Sequence, residues 1–181
     1  ESDWVGPLSP YAASKLAAES LTIAYQESYG INATAFRFFN VYGPRQRADH
    51  DYAAVIPAFV ASALAGEPVT IYGDGKQSRD FTFVDSVCGS IFLAAVLKTA
   101  SRRPINLAFG TQTTLLEVLS LLENELDREI KTVYAPSRTG DPRASQADTT
   151  LFRRLFPDAE PTDLASGLRK TVAWFKNQQD T

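Results

Sequence analysis

Short segments rich in β-branched and aromatic residues alternate with longer segments of helical character along the whole chain of 181 residues. Predicted strands cover residues 33–41, 69–72, 80–84, 104–108 and 131–135. Predicted helices cover residues 10–29, 57–65, 86–98, 114–128, 150–156 and 163–176. Such an alternation is typical of α/β folds, in which helices pack on a sheet. The sequence therefore predicts an α/β fold.

Three of the predicted helices carry capping signals. Ser9 precedes a proline and is a typical N-cap, and Gly30 suits the left-handed residue that follows a helix end. Thr114 and Glu117 have the spacing of a capping box. Asp85 is expected to cap the helix that follows it. These signals fix both ends of the first helix and the start of two later ones.

The charge balance and the rare residue types exclude several classes of function. A net charge of -3 and a pI near 5.2 argue against nucleic acid as the partner. The longest apolar stretch is too short to span a bilayer and no targeting peptide is visible, so we expect no membrane partner and a cytoplasmic location. The single cysteine, Cys88, and the single histidine, His50, exclude a disulfide framework and a cysteine-rich or multi-histidine metal site. We therefore expect no bound metal.

The beginning of the chain is also informative. There is no methionine, and the chain starts at Glu1 with a polar stretch that leads into the first predicted helix. We therefore expect the chain to be the downstream part of a longer protein.

Tyr11 and Lys15 lie four residues apart on the first predicted helix, and hence on one face of it. A phenol is a weak base near neutral pH unless a nearby cation stabilises the phenolate, and an ammonium at this spacing can supply that charge. The ordinary alternative is a half-buried tyrosine beside a surface lysine, with Lys15 paired to Glu19 one turn further on. Spacing alone favours this alternative, because such pairs are common by chance.

Four longer segments favour a functional interpretation of Tyr11 and Lys15 instead. They read PLSPYAASKLAAE (7–19), ATAFRFFNVYGPRQ (33–46), VIPAFVASALAGEPVTIYGDGKQSRDFTFVDSV (55–87) and RTGDPRASQAD (138–148). In this order they resemble the catalytic helix, the following strand and loop, the sugar-nucleotide-binding segment and the second diphosphate-binding motif of extended short-chain dehydrogenases/reductases. The resemblance covers nearly the whole chain and is closest to NAD-dependent epimerases and dehydratases of the UDP-glucose 4-epimerase type.

The resemblance implies the C-terminal part of a Rossmann-type doubly wound sheet together with a small α/β substrate-binding domain. Residues 1–45 would end the dinucleotide-binding domain, and residues 46–181 would form mainly the sugar-nucleotide-binding domain, with some segments returning to the Rossmann domain. No G-x-G-x-x-G or G-x-x-G-x-x-G spacing occurs in the chain, so the phosphate-binding loop would lie upstream. The serine or threonine of the family's catalytic triad and the residues that select NAD over NADP would lie there too.

Four residues would serve the reacting ends of substrate and cofactor. By resemblance, Tyr11 exchanges a proton with the sugar hydroxyl, and Lys15 holds the nicotinamide ribose and supports the phenolate. Phe39 would line the nicotinamide pocket, and Asn40 would bind substrate. The last two also have plainer interpretations, since Phe39 fits a strand core and Asn40 fits a turn cap.

Arg79 and Arg138 correspond to the two arginines that hold the substrate diphosphate, and Asp141 to the acid that binds the ribose hydroxyls. An arginine fork presents paired donors that fit phosphate oxygens. Both arginines lie among turn-forming residues, where binding side chains are often presented. Taken singly, each arginine is also typical of a solvated surface, and the segment around Asp141 is also typical of an ordinary turn.

The nucleobase and the sugar complete the expected site. Tyr72 would pack on uracil with Val55, Ile56 and Thr70 nearby, although these residues also suit an ordinary core, which we favour for Ile56. Ser145 corresponds to the position that borders the sugar, where a small residue leaves room for an N-acetyl group. Ser145 therefore indicates tolerance of UDP-N-acetylhexosamines, although a serine in a loop is unremarkable by itself.

The implied activity is NAD-dependent 4-epimerisation of a UDP-hexose through a 4-keto intermediate, carried out by a homodimer. Two alternatives stay open: a nucleotide-sugar 4,6-dehydratase or decarboxylase, and a non-catalytic sugar-nucleotide-binding protein. Because the cofactor loop would lie upstream, the chain by itself is expected to be inactive.

Overall fold

Helices and strands alternate along the part of the chain that the structure describes. The structure is a computed structural model, and it describes residues 6–7, 9–48, 53–138 and 140–179. The helices are α1 (Pro10–Tyr29), α2 (Val55–Ala65), α3 (Val84–Val96), α4 (Leu115–Leu126), α5 (Thr150–Leu155) and α6 (Leu164–Gln179). The strands are β1 (Phe36–Phe38), β2 (Val41–Tyr42), β3 (Val69–Tyr72), β4 (Ser78–Arg79), β5 (Thr82–Phe83), β6 (Ile105–Leu107), β7 (Thr113–Thr114), β8 (Thr132–Ala135) and β9 (Ala144–Ser145). The predicted α/β fold is confirmed.

Strands that follow one another in sequence do not pair with each other in the described part of the chain. β1 pairs in parallel with β6, β2 with β5, and β3 with β8. β4 lies between β7, which is antiparallel to it, and β9, which is parallel. Parallel pairs need long crossover connections, and the helices lie within these connections.

Two clusters of buried side chains hold the structure together. The first packs α2, α4 and α6 against β3 and β5. Its largest fully buried members are Ile56, Val60, Val69, Ile71, Phe83, Val118, Leu122 and Leu168. The second surrounds β6 and α5, and its largest fully buried members are Ile105, Leu107, Phe152 and Phe156. The interpretation of Ile56 as a core residue is confirmed.

α1 begins and ends where the sequence predicts, because both capping signals are used. The Ser9 hydroxyl accepts a hydrogen bond from the Ala12 amide at 3.1 Å, and Gly30 adopts the left-handed conformation (φ 65°) that ends the helix. None of its 20 residues is buried, and Tyr11 and Leu21 are more than half exposed. Neither α1 nor any other helix among the described residues is long and apolar enough to cross a membrane.

Among the boundaries that differ from the predictions, two have a clear local cause. The predicted strand 33–41 is divided into β1 and β2, because Asn40 has a left-handed backbone (φ 31°) that interrupts the extended conformation. α3 follows β5 directly and has Phe83 as its N-cap, so Asp85 lies inside the first turn. The prediction that Asp85 caps this helix is wrong, and its carboxylate instead accepts a hydrogen bond from Lys170 Nζ of α6 at 3.0 Å.

Candidate functional site

A groove of about 850 Å³ runs between α1 and β1. From α1 it is lined by Tyr11, Lys15 and Glu19, and from β1 by Arg37 and Phe38. The three α1 residues are spaced four apart, so the helical repeat places them along one face. The two residues predicted from the sequence to be catalytic therefore lie in one groove.

Lys15 lies beside the ring of Tyr11. Its Nζ atom is 5.3 Å from the ring centroid, and Tyr11 is 71% exposed. The negative face of the ring attracts the ammonium. The arrangement suits a tyrosine that exchanges a proton with a ligand in the groove.

The carboxylate of Glu19 is held by an arginine from the neighbouring strand. Arg37 Nε donates to one Glu19 oxygen at 2.7 Å, and Arg37 Nη2 donates to the other at 2.8 Å. Two parallel hydrogen bonds of this kind form a strong and directional arginine–carboxylate pair. The pairing of Glu19 with Lys15 that the sequence left open is thus replaced by a pairing with β1. No sequence signal linked residues 19 and 37.

A cleft of about 410 Å³ forms a second hollow. Its lining contains seven of the eight residues predicted to bind substrate: Asn40, Val55, Thr70, Tyr72, Arg79, Arg138 and Asp141. They come from the segment after β1, from α2, β3 and β4, and from the loop after β8. Only the tertiary structure brings these distant segments together.

Arg79 lies on β4, between β7 and β9, and is only 9% exposed. Its guanidinium forms an ion pair with Asp141 through Nη2 and Oδ1. Its Nη1 atom donates to the Ser78 carbonyl at 2.7 Å. A buried guanidinium needs such partners, because an uncompensated buried charge is costly. The ion pair also ties the loop after β8 to β4.

Arg138 packs on the ring of Tyr72, with its guanidinium carbon 4.1 Å from the ring centroid. The Asp141 amide donates to the Arg138 carbonyl at 3.2 Å, so a turn-type hydrogen bond holds these two residues near each other. The charged groups among the described lining residues are Arg79, Arg138 and Asp141, which leaves the cleft positive. This balance suits a doubly charged anion, because arginine forks match phosphate oxygens.

Asp80 follows Arg79, is fully buried and was not predicted from the sequence. Its carboxylate accepts hydrogen bonds from the Gly110 amide at 3.0 Å, the Thr111 hydroxyl at 2.9 Å and the Ala147 amide at 3.2 Å. Three donors offset the cost of burying a charged group. Asp80 therefore holds two loops against the end of β4. An acidic residue at the start of an apolar run is the sequence signal that could have found it.

Two predicted residues line neither hollow in the described structure. Phe39 is half-buried between β1 and β2. Ser145 is half-buried on β9, where it pairs in register with Arg79 of β4. Conversely, Gln77 lines the cleft although no sequence signal pointed to it, and its amide nitrogen donates to the Tyr72 carbonyl at 2.5 Å. Ser145 therefore adjoins Arg79, which lines the cleft.

The groove and the cleft approach each other at the end of β1. Phe38 lines the groove and Asn40 lines the cleft. Two residues of extended chain span at most about 7 Å. Hollows this close together can serve the two ends of one elongated ligand.

The described side chains form no metal-binding cluster. No group of three or more histidine, cysteine, aspartate or glutamate residues among them is arranged to hold a metal ion. Cys88 is exposed on α3, and His50 lies outside the described residues.

A family model described as the NAD dependent epimerase/dehydratase family matches residues 1–108. The chain belongs to the NAD-dependent epimerase/dehydratase family. The matched region of this epimerase/dehydratase family member includes the Tyr11–Lys15 pair and Arg79. The resemblance inferred from the sequence motifs is thereby confirmed.

Relatives in the epimerase/dehydratase family carry out related sugar-nucleotide reactions according to their names. UDP-glucose 4-epimerase of Mycolicibacterium smegmatis is 34% identical over 174 residues, which cover 96% of this chain and 55% of the relative. UDP-glucuronic acid decarboxylase 4 of Arabidopsis thaliana is 32% identical over 174 residues, which cover 96% of this chain and 38% of the relative.

A solved structure supports the fold. UDP-N-acetylglucosamine 4-epimerase from Methanobrevibacter ruminantium M1, in complex with UDP-N-acetylmuramic acid, matches with a TM-score of 0.90 at 38% identity. The match covers 98% of this chain and 57% of that chain. The chain spans about half the length of the curated relatives it matches, 55% for the Mycolicibacterium smegmatis enzyme, and corresponds to their C-terminal part. The predicted C-terminal part of a Rossmann-type fold is confirmed.

Proposed function

We propose that the complete protein is an NAD-dependent UDP-sugar 4-epimerase, with this chain supplying the proton-transfer pair and the nucleotide clamp. One observation carries the proposal: Arg79, Arg138 and Asp141 line a cleft that begins two residues away from the groove of Tyr11 and Lys15. A sugar nucleotide has the shape this arrangement requires, since its diphosphate lies between a nucleoside and a reacting sugar.

The groove suits the nicotinamide end of NAD. It offers a lysine ammonium and a phenol hydroxyl beside apolar walls, which match the ribose hydroxyls and the flat ring of such a cofactor. When bound, NAD would supply the redox chemistry at carbon 4 of the sugar, as a hydride acceptor and then a hydride donor. Lys15 and Tyr11 are the residues of this chain that would hold it.

Tyr11 is the proposed base. Its phenolate takes the proton of the sugar 4-hydroxyl as a 4-keto sugar forms, and returns the proton when the opposite configuration is made. Lys15, 5.3 Å from the Tyr11 ring, supplies the positive charge that stabilises the phenolate. The exposed position of Tyr11 leaves its hydroxyl accessible to a ligand in the groove.

The cleft holds the part of the substrate that does not react. Arg79 and Arg138 bind the diphosphate, and Asp141 accepts hydrogen bonds from the ribose. The sugar must turn over between the two hydride transfers, so affinity has to come from the UDP portion rather than from the sugar.

The remaining lining residues would set specificity. Tyr72 offers an aromatic face for uracil, with Val55 and Thr70 beside it in the cleft. Asn40 lies where the cleft approaches the groove, in position to contact the sugar. Ser145 is small and adjoins Arg79, which supports room for an N-acetyl group. Phe39 is proposed as part of the nicotinamide pocket.

The similarity to a plant UDP-glucuronic acid decarboxylase favours one second candidate, a decarboxylase that uses the same tyrosine and lysine. A homodimer, a cytoplasmic location, and the division into residues 1–45 and 46–181 remain predictions from the sequence.

The test uses the full-length protein with NAD and UDP-glucose, UDP-N-acetylglucosamine or UDP-glucuronic acid, and follows products by NMR. An epimerase yields the 4-epimer, whereas a decarboxylase yields a pentose nucleotide and CO₂. Tyr11→Phe should reduce turnover about 10²-fold or more, as loss of an acid–base group does. UDP binding by calorimetry should stay within a factor of two, since the cleft is unchanged.

A second pair of variants tests the clamp. Arg138→Ala should weaken UDP binding by about 1–3 kcal/mol, the range for hydrogen bonds to charged groups. Arg143→Ala is the matched control, because Arg143 is exposed in the same loop and pairs with Asp74 outside the cleft lining. Equal effects of both variants would refute the clamp, and turnover without any 4-epimer would refute the epimerase.

A further inference from the structure

Glu19 lies one helical turn beyond Lys15 on the face of α1 that lines the groove. Side chains four residues apart on a helix are neighbours, and a carboxylate at this distance attracts a lysine ammonium. An ammonium paired with a carboxylate has much less net charge to offer to a third group. The proposed role of Lys15 therefore requires that the Glu19 carboxylate be paired with a different group.

In the structure, the Glu19 carboxylate is paired with Arg37. Both of its oxygens accept hydrogen bonds from the Arg37 guanidinium, at 2.7 Å and 2.8 Å. The pair is partly shielded from water, with side-chain exposures of 15% for Glu19 and 31% for Arg37. Shielding and two-point geometry both make this pair stronger than an exposed pair along a helix.

We propose that Arg37 is a positioning residue that withholds the Glu19 carboxylate from Lys15 and so keeps the ammonium available to Tyr11. This inference rests on the proposed function of the Tyr11–Lys15 pair. Arg37 acts through Lys15 and Tyr11.

The charges around the groove support a pairing of Glu19 with Arg37 that leaves Lys15 to Tyr11. The ionisable side chains among its described lining residues are Tyr11, Lys15 and Glu19 on α1 and Arg37 on β1. Removal of Arg37 leaves a partly buried carboxylate without its partner, and Lys15 is the other cation of the lining. Because a buried carboxylate gains more from a cation than an exposed one does, Glu19 would turn to Lys15.

The consequence appears in the pH dependence of turnover. Tyr11 must be ionised to accept the proton, so turnover rises with pH on the acid limb of the profile. In Arg37→Gln the Glu19 carboxylate offsets the Lys15 charge, and a higher pH is needed for the same fraction of phenolate. We expect the acid limb to move up by about one pH unit, a loss of about tenfold in kcat on that limb, from the typical effect of one nearby charge.

The decisive comparison is between Arg37→Gln and the double variant Glu19→Gln/Arg37→Gln. The double variant still lacks the arginine but no longer carries the competing carboxylate, so kcat and the acid limb should return to within about twofold of the parent. KM for the UDP-sugar should change less than kcat, because the nucleotide cleft is separate from the groove. If Arg37 only supported the fold, the double variant would be as impaired as the single one.

Arg102→Gln provides the matched control. Arg102 also forms an ion pair with α1, through Glu27 at a distance of 2.7 Å, two turns beyond Glu19. Its loss removes a link to α1 of the same chemical kind without releasing a carboxylate beside Lys15. Its kcat and pH profile should match those of the parent, and a loss equal to that of Arg37→Gln would overturn the proposal.

Crystal structures of full-length Arg37→Gln and of the parent supply a readout that needs no activity. We expect the Glu19 carboxylate within 4 Å of Lys15 Nζ in the variant, as the distance of an ordinary ion pair, and on Arg37 in the parent. A Glu19 side chain that points to solvent in the variant would overturn the inference. A parent that is inactive on every UDP-sugar would refute the proposed function, while the two structures would still decide the pairing of Glu19.

Discussion

The cleft and the groove are held in place by different kinds of contact. The cleft is built on α2, β3 and α4, whose inward side chains, such as Val60, Ile71 and Leu122, are fully buried. The groove is bounded by α1, a helix of 20 residues with none buried. α1 is linked to its surroundings by ion pairs, from Glu19 to Arg37 and from Glu27 to Arg102.

The residues proposed to bind the nucleotide and the residues proposed to transfer the proton are therefore held in different ways. Burial of large apolar side chains gives the cleft a rigid frame, whereas an exposed ion pair such as Glu27–Arg102 contributes little stability. The residues proposed to hold the nucleotide are thus fixed by the core. The residues proposed to transfer the proton lie on α1, where the proposed role of Arg37 is to hold the Glu19 carboxylate.

The largest expected effect contrasts the same residue type in the two regions. Leu122→Ala removes a fully buried side chain of α4 and should lower the free energy of unfolding by about 2–5 kcal/mol. Leu21→Ala on α1, where the leucine is 58% exposed, should change it by less than about 0.5 kcal/mol. Urea unfolding of both variants measures the difference, and similar losses would contradict the contrast.

A second effect concerns the close approach of α6 to the cleft-side core. A Cβ atom at Gly167 would lie 2.1 Å from Tyr42 Oη and 2.9 Å from Phe83 Cδ2, both buried side chains. Gly167→Ala should therefore cost about 1–3 kcal/mol through overpacking, despite the better helix propensity of alanine. Gly89→Ala in α3, where a Cβ would meet nothing within 4 Å, is the control and should be neutral or stabilising.

Helix caps provide a finer comparison. The predicted capping box is confirmed at α4, where the Glu117 amide donates to Thr114 Oγ1 at 3.2 Å and the Thr114 amide donates to the Glu117 carboxylate at 2.6 Å. Thr114→Ala should cost about 1 kcal/mol of global stability. Ser9→Ala removes the equivalent cap of α1 and should lower helical content while leaving the unfolding midpoint unchanged. A shift of the midpoint by Ser9→Ala would show that α1 unfolds together with the core.

The smallest effect at neutral pH comes from Tyr42→Phe. Burial raises the pKa of Tyr42 above the ordinary phenol value of 10.0, and the Asp163 carboxylate acts in the same direction. The unfolded chain therefore loses this proton first, so stability is intact below about pH 10 and falls as pH rises, by at most about 1.4 kcal/mol per pH unit. Tyr42→Phe should flatten this alkaline loss in pH-dependent unfolding.

Local signals predicted much of the fold. Ser9 and Gly30 gave both ends of α1, and Thr114 with Glu117 gave the start of α4, because capping depends on residues within one turn of each other. The prediction for Asp85 is wrong because β5 runs directly into α3, so the helix starts two residues earlier than predicted. The long strand predicted at 33–41 is wrong in extent because Asn40 leaves the extended conformation, which its apolar neighbours do not reveal.

The site was predicted from motifs, but its arrangement was not. The structure places Arg79, Arg138 and Asp141 in one cleft, and Tyr11 and Lys15 in one groove. It also shows partners that the motifs left out, since Glu19 is bound by Arg37 and buried Asp80 joins loops that are 30 and 67 residues away. These contacts link distant segments, and a single sequence carries no signal for them.

The sequence by itself determined the alternation of strands and helices, the ends of the capped helices and the family, because each depends on residues that are near one another in the chain. Only the tertiary structure decided which charges meet. Glu19 has a lysine one turn away and an arginine on another element, and it pairs with the arginine because β1 lies beside α1 and offers two aligned donors.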